Sequence, residues 1–116
     1  MRGNAVFSFE HWRSWLAEKA GPLQAQGLEV RIGGHDFAAK PKTMISVAGK
    51  NARGDFENWK SGETDYTIFR LHRPLLMPWR MVPKQFAIRW GVVADDASFE
   101  DIYEEFMARF READLQ

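Results

Sequence analysis

Cysteine is absent from the 116 residues, which excludes disulfide bonds, thiolate metal sites and a cysteine nucleophile. No apolar run approaches the roughly eighteen residues that a membrane-spanning helix requires. The first residues contain no apolar stretch of signal-peptide length either. We therefore expect a cytoplasmic protein with no membrane partner.

Net charge is also absent, because 16 Lys and Arg residues balance 16 Asp and Glu residues. This balance argues against a protein that coats nucleic-acid phosphates with excess basic residues. The charge is nevertheless uneven along the chain: residues 1–27 carry +1, residues 28–92 carry +5 and residues 93–116 carry −6. The pattern predicts a basic sheet beside an acidic final helix. That helix is either a solvated surface or a docking surface that speeds the encounter with a partner.

Sequence patterns typical of catalysis are missing as well. The three histidines are scattered, no metal-ligand spacing occurs, and there is no phosphate-binding glycine loop or nucleophile elbow. Glu57, Glu63 and Asp65 flank one predicted hairpin and could form a glycosidase-like pair, but carboxylates beside a turn are usually solvated. We therefore expect no enzyme, no cofactor and no metal site.

Two amphipathic helices are predicted at the ends of the chain. Ser8 has the position of an N-cap, and Gly21 and Pro22 are expected to end or kink the first helix. Ser98 is the predicted N-cap of the last helix, with Asp101 three residues on as a near capping box. The apolar stripe of this last helix consists of Phe99, Ile102, Tyr103, Phe106 and Phe110.

Between the helices the hydrophobic period changes to two, which predicts strands. The predicted strands are residues 28–32, 42–48, 53–60, 64–72 and 86–92, with a turn at Gly33 to Asp36 and an irregular segment at 73–83. Short links between strands indicate an antiparallel meander. The expected fold is one α+β domain over residues 1–116. It has two layers, with a sheet of four to five strands and the N- and C-terminal helices packed on one face.

The irregular segment contains an apolar stretch at residues 75–81, Leu-Leu-Met-Pro-Trp-Arg-Met. Either this segment folds over the open sheet face and buries itself, or Trp79 is an exposed anchor for a partner, with Arg80 beside it. Aromatic and basic residues also alternate elsewhere, which would suit stacking of single-stranded RNA bases. These neighbouring pairs are Trp59-Lys60, Phe69-Arg70, Trp79-Arg80 and Arg89-Trp90.

The segment Trp-Lys-Ser-Gly-Glu-Thr-Asp-Tyr at 59–66 resembles the Trp-x-x-Gly-Glu-x-Asp hairpin of the TriTu-like group of bacterial immunity proteins. The group protects against antibacterial ADP-ribosyltransferase toxins directed at elongation factor Tu. The resemblance implies a non-catalytic protein that binds one cognate toxin domain and blocks its active site. Trp59, Glu63 and Asp65 are the matching positions, with either interface or structural roles.

The function that we predict from the sequence is therefore that of an immunity protein with a toxin domain as its partner. The predicted partner-binding residues are Trp59, Glu63, Asp65, Arg70, Arg73, Trp79 and Arg80. Another binding module, such as a secretion chaperone or adaptor, is the first alternative. An RNA-binding domain that uses the region between Arg70 and Arg89 is the second.

Overall fold

The computed structural model describes residues 8–35, 41–93, 95 and 97–115, which form two helices and five strands. In chain order these are α1 (Phe9–Ala25), β1 (Glu29–His35), β2 (Lys42–Ala48), β3 (Ala52–Trp59), β4 (Glu63–His72), β5 (Val82–Val93) and α2 (Phe99–Asp114). The strands form one antiparallel sheet in the order β1-β2-β3-β4-β5. Both helices pack on the same face of that sheet, which confirms the predicted two-layer α+β meander.

The first helix begins as predicted but ends later. The Ser8 hydroxyl accepts a hydrogen bond from the His11 N–H at 3.3 Å, as an N-cap does. The helix then continues through Gly21 and Pro22 to Ala25, so the expectation that it ends there is wrong. In helical backbone, the side chain of the residue before a proline normally clashes with the proline ring. Gly21 has no side chain, so this clash does not occur. Burial of Leu23 in the core then stabilises the last turn.

The last helix has its predicted apolar stripe, and every member of that stripe is buried. The predicted capping box is wrong, because the Ser98 side chain makes no cap hydrogen bond to the helix. Its hydroxyl instead accepts from the Asp95 N–H at 3.1 Å, while the Asp95 carboxylate accepts from the Ser98 N–H at 2.8 Å. The carboxylate thus supplies the negative charge that favours a helix N-terminus, and this hydrogen bond lowers the pKa of Asp95.

The edge strands depart most from the sequence prediction. Gly33 and Gly34 do not form a turn but pair with β2, where a Cβ on Gly34 would lie 2.2 Å from the Lys42 carbonyl oxygen. Close backbone approach therefore explains this glycine. The remaining residue of the expected turn, Asp36, lies outside the described residues. At the other edge, β5 begins at Val82 and includes Pro83, which an edge strand tolerates because one side of it needs no hydrogen bonds.

Two register shifts in β5 also overturn the expected alternation over residues 86–92. Each shift places an extra residue on β5, so the face on which its side chains lie changes along the strand. Phe86 and Val92 pack against the core, whereas Trp90 is 74% exposed.

An aromatic cluster forms the core between the helices and the sheet. Trp12 of α1 stacks on Phe99 of α2 with ring centres 4.4 Å apart. The fully buried Phe56 of β3 meets Phe99 and Tyr103 edge to face, at 5.6 Å and 5.5 Å. Gly54 lets the Phe106 ring approach the sheet, since a Cβ there would lie 2.8 Å from that ring. The two helices are thus fixed on one face of the sheet.

We call the opposite side of the sheet, which neither helix covers, the open face. Among the described strand residues, register places Arg31, Lys42 and Arg53 on this face, together with the acidic residues Glu29, Asp55, Glu57, Glu63 and Asp65. The predicted basic sheet is therefore wrong for this face, where acids outnumber bases. The basic residues of β5 lie elsewhere; Arg89, for example, forms a salt bridge with Glu105 of α2. This salt bridge thus neutralises part of the charge difference between the basic central segment and the acidic last helix.

Candidate partner-binding surface

Four side chains from three neighbouring strands meet on the open face, near the turn between β3 and β4. They are Lys42, Glu57, Trp59 and Asp65, and we call them the hairpin cluster. Lys42 lies opposite Trp59 in the sheet, and Glu57 lies opposite Asp65. The Lys42 ammonium donates to Glu57 Oε2 at 3.1 Å and also lies 4.9 Å from the centre of the Trp59 ring. The four side chains therefore form one connected group.

The turn that brings the cluster together is held by local hydrogen bonds. Gly62 has a φ of 99°, which glycine adopts without a steric penalty. The Thr64 hydroxyl donates to the Gly62 carbonyl at 3.1 Å and accepts from the Asn58 amide at 3.2 Å. Asn58 and Thr64 are both fully buried, so these bonds fix the register of β3 against β4. That register puts Glu57 opposite Asp65.

The electrostatics of the cluster are unfavourable for Asp65. Loss of hydration on burial, followed by repulsion and a shared hydrogen bond with Glu57, raises the pKa of Asp65 from 3.8 to about 6. Glu63 adds a weaker repulsion. The Trp59 side chain acts in the opposite direction and lowers this pKa. Lys42 is paired with Glu57, so Asp65 carries the uncompensated part of the charge.

Exposed apolar side chains border the cluster on its β5 side. The register shift places Trp90 and Gly91 opposite Asp65, and Val93 opposite Glu63. Trp90 and Val93 are 74% and 73% exposed. Sequence reasoning did not select Lys42, Glu57 or Trp90 as partner-binding residues. Their positions depend on strand register and on a bulge, for which the linear pattern gives no signal.

The arrangement of the two carboxylates does not suit glycoside hydrolysis. Glu57 and Asp65 are close enough to share a hydrogen bond, whereas a glycosidase pair stands about 5 Å or more apart to admit the substrate. Among the described residues, no three His, Asp or Glu side chains are grouped so that they could hold a metal ion. The chemistry that the cluster offers is the recognition of a charged group.

Three of the predicted partner-binding residues lie together here, and the others lie elsewhere. Trp59, Glu63 and Asp65 surround the turn between β3 and β4. Arg70 is on the helix side of β4, where its guanidinium lies 4.7 Å from the centre of the Phe86 ring. Its position across from the fully buried Ala52 indicates a packing role.

The remaining three, Arg73, Trp79 and Arg80, lie in the connection from β4 to β5. Backbone bonds from Met77 to Pro74 and from Arg80 to Met77, both 3.1 Å, form successive turns. The Arg73 guanidinium braces these turns by donating to the Pro78 carbonyl at 3.0 Å. The connection is therefore held by specific hydrogen bonds.

The apolar stretch at residues 75–81, which we call the apolar loop, does not bury itself on the open face. Leu75 is 98% exposed, Leu76 is 89% exposed and Trp79 is 71% exposed. Of the two sequence interpretations, self-burial is therefore wrong and the exposed arrangement is observed. Large exposed apolar side chains grouped in one loop are typical of interaction sites.

The hairpin cluster and the apolar loop lie at opposite ends of β4. His72 is seven positions after Asp65, which is about 23 Å along the strand, and the loop begins after His72. A standard protein interface of about 800 Å² per partner is roughly 32 Å across. The strand between the two surfaces is thus shorter than one such interface.

Comparisons with known proteins returned nothing for this chain. No protein-family model matches it, and neither the curated proteins nor the solved structures contain a match. None of the described helices is long and apolar enough to cross a membrane.

Proposed function

We propose that this protein is an immunity protein that binds a cognate antibacterial toxin domain and blocks its active site. The observation that carries the proposal is the exposed apolar loop. An isolated domain gains nothing from keeping two leucines and a tryptophan in water, and each would release free energy on burial against a partner. The sequence resemblance at residues 59–66 supplies the toxin class, an ADP-ribosyltransferase.

The apolar loop has the properties of a binding anchor. Trp79 combines a large apolar area with an indole N–H, and it stands beside Arg80, a residue type that is enriched with tryptophan at interface hot spots. The turns and the Arg73 bond hold the loop before a partner arrives. A held loop loses less conformational entropy on binding than a flexible one does.

The open face adds charge to this anchor. Its excess of carboxylates favours a partner with a basic surface, and such complementarity speeds diffusional encounter. A toxin must be neutralised before it acts, so fast association is useful to an immunity protein. Blocking an active site also requires shape and charge but no catalytic group in the inhibitor.

The RNA-binding alternative fits this geometry less well. Phe69 and Arg70 are neighbours in one strand, so their side chains lie on opposite faces of the sheet. Arg89, the neighbour of Trp90, is engaged with Glu105 on the helix side. Arg70 and Arg89 therefore lie on the face opposite their aromatic neighbours, and an acid-rich open face repels phosphates.

Co-expression in bacteria tests the proposal. The partner to use is the product of the gene next to that of this protein, which the proposal expects to be the toxin. We expect wild-type protein to restore growth and to co-purify with the toxin. Trp79→Ala should weaken both effects, while Glu104→Gln, which changes an exposed carboxylate on α2, should weaken neither.

Absence of both rescue and complex formation with wild-type protein would refute the proposal. The mass of the free protein in solution separates the chaperone or adaptor alternative, since we expect that class to form a homodimer. A homodimer that binds no toxin would favour that alternative.

A further inference from the structure

The Glu57–Asp65 pair is an arrangement that the fold does not need. Like charges directly opposite each other in a sheet are destabilising. The core side of the same strands already holds them together through Phe56 and Tyr66, which are opposite each other and buried. A neutral pair on the open face would leave that packing unchanged. The stability of the fold therefore does not explain why these two carboxylates lie opposite each other.

The described residues supply one cation to the hairpin cluster, Lys42, and that cation is engaged by Glu57 at 3.1 Å. Around Asp65, the other charged side chains are Glu57 on β3 and Glu63 on β4, both acidic. On β5 the residues opposite Asp65 are Trp90 and Gly91, which carry no charge. A second cation beside Asp65 would offset the excess negative charge around this residue.

The aromatic residues of this region suit such a cation. The Trp59 ring already has one ammonium group 4.9 Å from its centre, so its face is used for cation–π contact. Trp90 presents a second, mostly exposed indole on the strand next to Asp65. Acidic groups between aromatic surfaces are a chemical combination that binds basic side chains.

We propose that the hairpin cluster, with Trp90 beside it, receives an arginine side chain from the partner protein. The planar guanidinium of arginine can donate to two carboxylate oxygens at once and can stack on an indole, whereas a lysine ammonium does neither as well. This inference deepens the proposed function, because it names the chemistry that the toxin presents to this end of the open face.

A small probe tests the inference without the toxin. The probe is acetyl-Gly-Arg-Gly-amide, and the matched control is the same peptide with citrulline, which keeps the shape and lacks the charge. Nuclear magnetic resonance follows the indole N–H signals of Trp59 and Trp90 and the titration of Asp65. We expect saturable shifts of both indole signals with the arginine peptide only. We also expect bound arginine to lower the pKa of Asp65.

Two variants make the test specific. Asp65→Asn should weaken peptide binding at least about tenfold, because the charge-assisted hydrogen bond is lost. Glu104→Gln, on the other side of the molecule, should leave peptide binding unchanged. Equal shifts with the citrulline peptide, no shifts with either peptide, or unchanged binding by Asp65→Asn would each overturn the inference. Because no toxin is present, a failed rescue experiment with normal arginine binding would refute the proposed function alone.

Discussion

Replacing Asp65 by asparagine should stabilise the free protein, although Asp65 lies in a hydrogen-bonded cluster. Its pKa rises from 3.8 in the unfolded chain to about 6 in the folded protein, a difference worth about 3 kcal/mol without screening. Asp65 is half-buried, and solvent reduces this cost to about 1 kcal/mol. Asparagine removes the repulsion and has nearly the same shape as the side chain that it replaces.

The sign of the pH dependence follows from the raised pKa. Between pH 3.8 and about 6 the folded protein binds more protons at this site than the unfolded chain does, so Asp65 lowers stability progressively as the pH rises through that window. Urea unfolding should therefore show Asp65→Asn about 1 kcal/mol more stable than wild type at pH 8 and nearly equal near pH 3.5. Glu104→Gln is the control. A loss of stability at pH 8 would show that Asp65 secures the turn, and the reasoning would fail.

Three further outcomes follow from the structure. Trp79→Ala should keep the free energy of unfolding within about 0.5 kcal/mol of the wild-type value, because the side chain is 71% exposed. The same variant should bind the toxin more weakly by a factor on the order of 100, as measured by calorimetry. Tyr66→Phe should cost about 1 kcal/mol in urea unfolding, because the Tyr66 hydroxyl donates to Glu105. This hydrogen bond lowers the pKa of Glu105. The stability lost in Tyr66→Phe should therefore decrease as the pH falls and the Glu105 carboxylate becomes protonated. Gly54→Ala should cost about 1–3 kcal/mol, because its Cβ would lie 2.8 Å from Phe106; an unchanged melting temperature would contradict that packing.

The sequence was sufficient for the order and type of the elements, because hydrophobic period and local caps are short-range properties. Lys42–Ala48 is observed within its predicted bounds, and the stripe of the last helix is buried as expected. The edge strands were predicted poorly for tertiary reasons. Gly34 is explained by the approach of the neighbouring strand, and the two bulges of β5 reverse faces that the alternation alone assigns.

The candidate surface was predicted in part. The residues at 59–66 were selected through a resemblance, and Trp79 through its apolar, proline-bounded context. The hairpin cluster itself required the strand register, since Lys42 precedes Trp59 by 17 positions and meets it only because β2 pairs with β3. Arg70 was selected on its charge, but a side chain's face depends on pairing, and its pairing places it on the helix side.

The affinity of the toxin for the double variant Asp65→Asn/Trp79→Ala shows whether one partner contacts both ends of the open face. If one partner lies along the open face and contacts both ends, each single change weakens binding. The two effects should then add as free energies, because the sites are about 23 Å or more apart. The double variant should neither bind the toxin tightly nor restore growth, while remaining folded. Wild-type affinity in the folded double variant would contradict it.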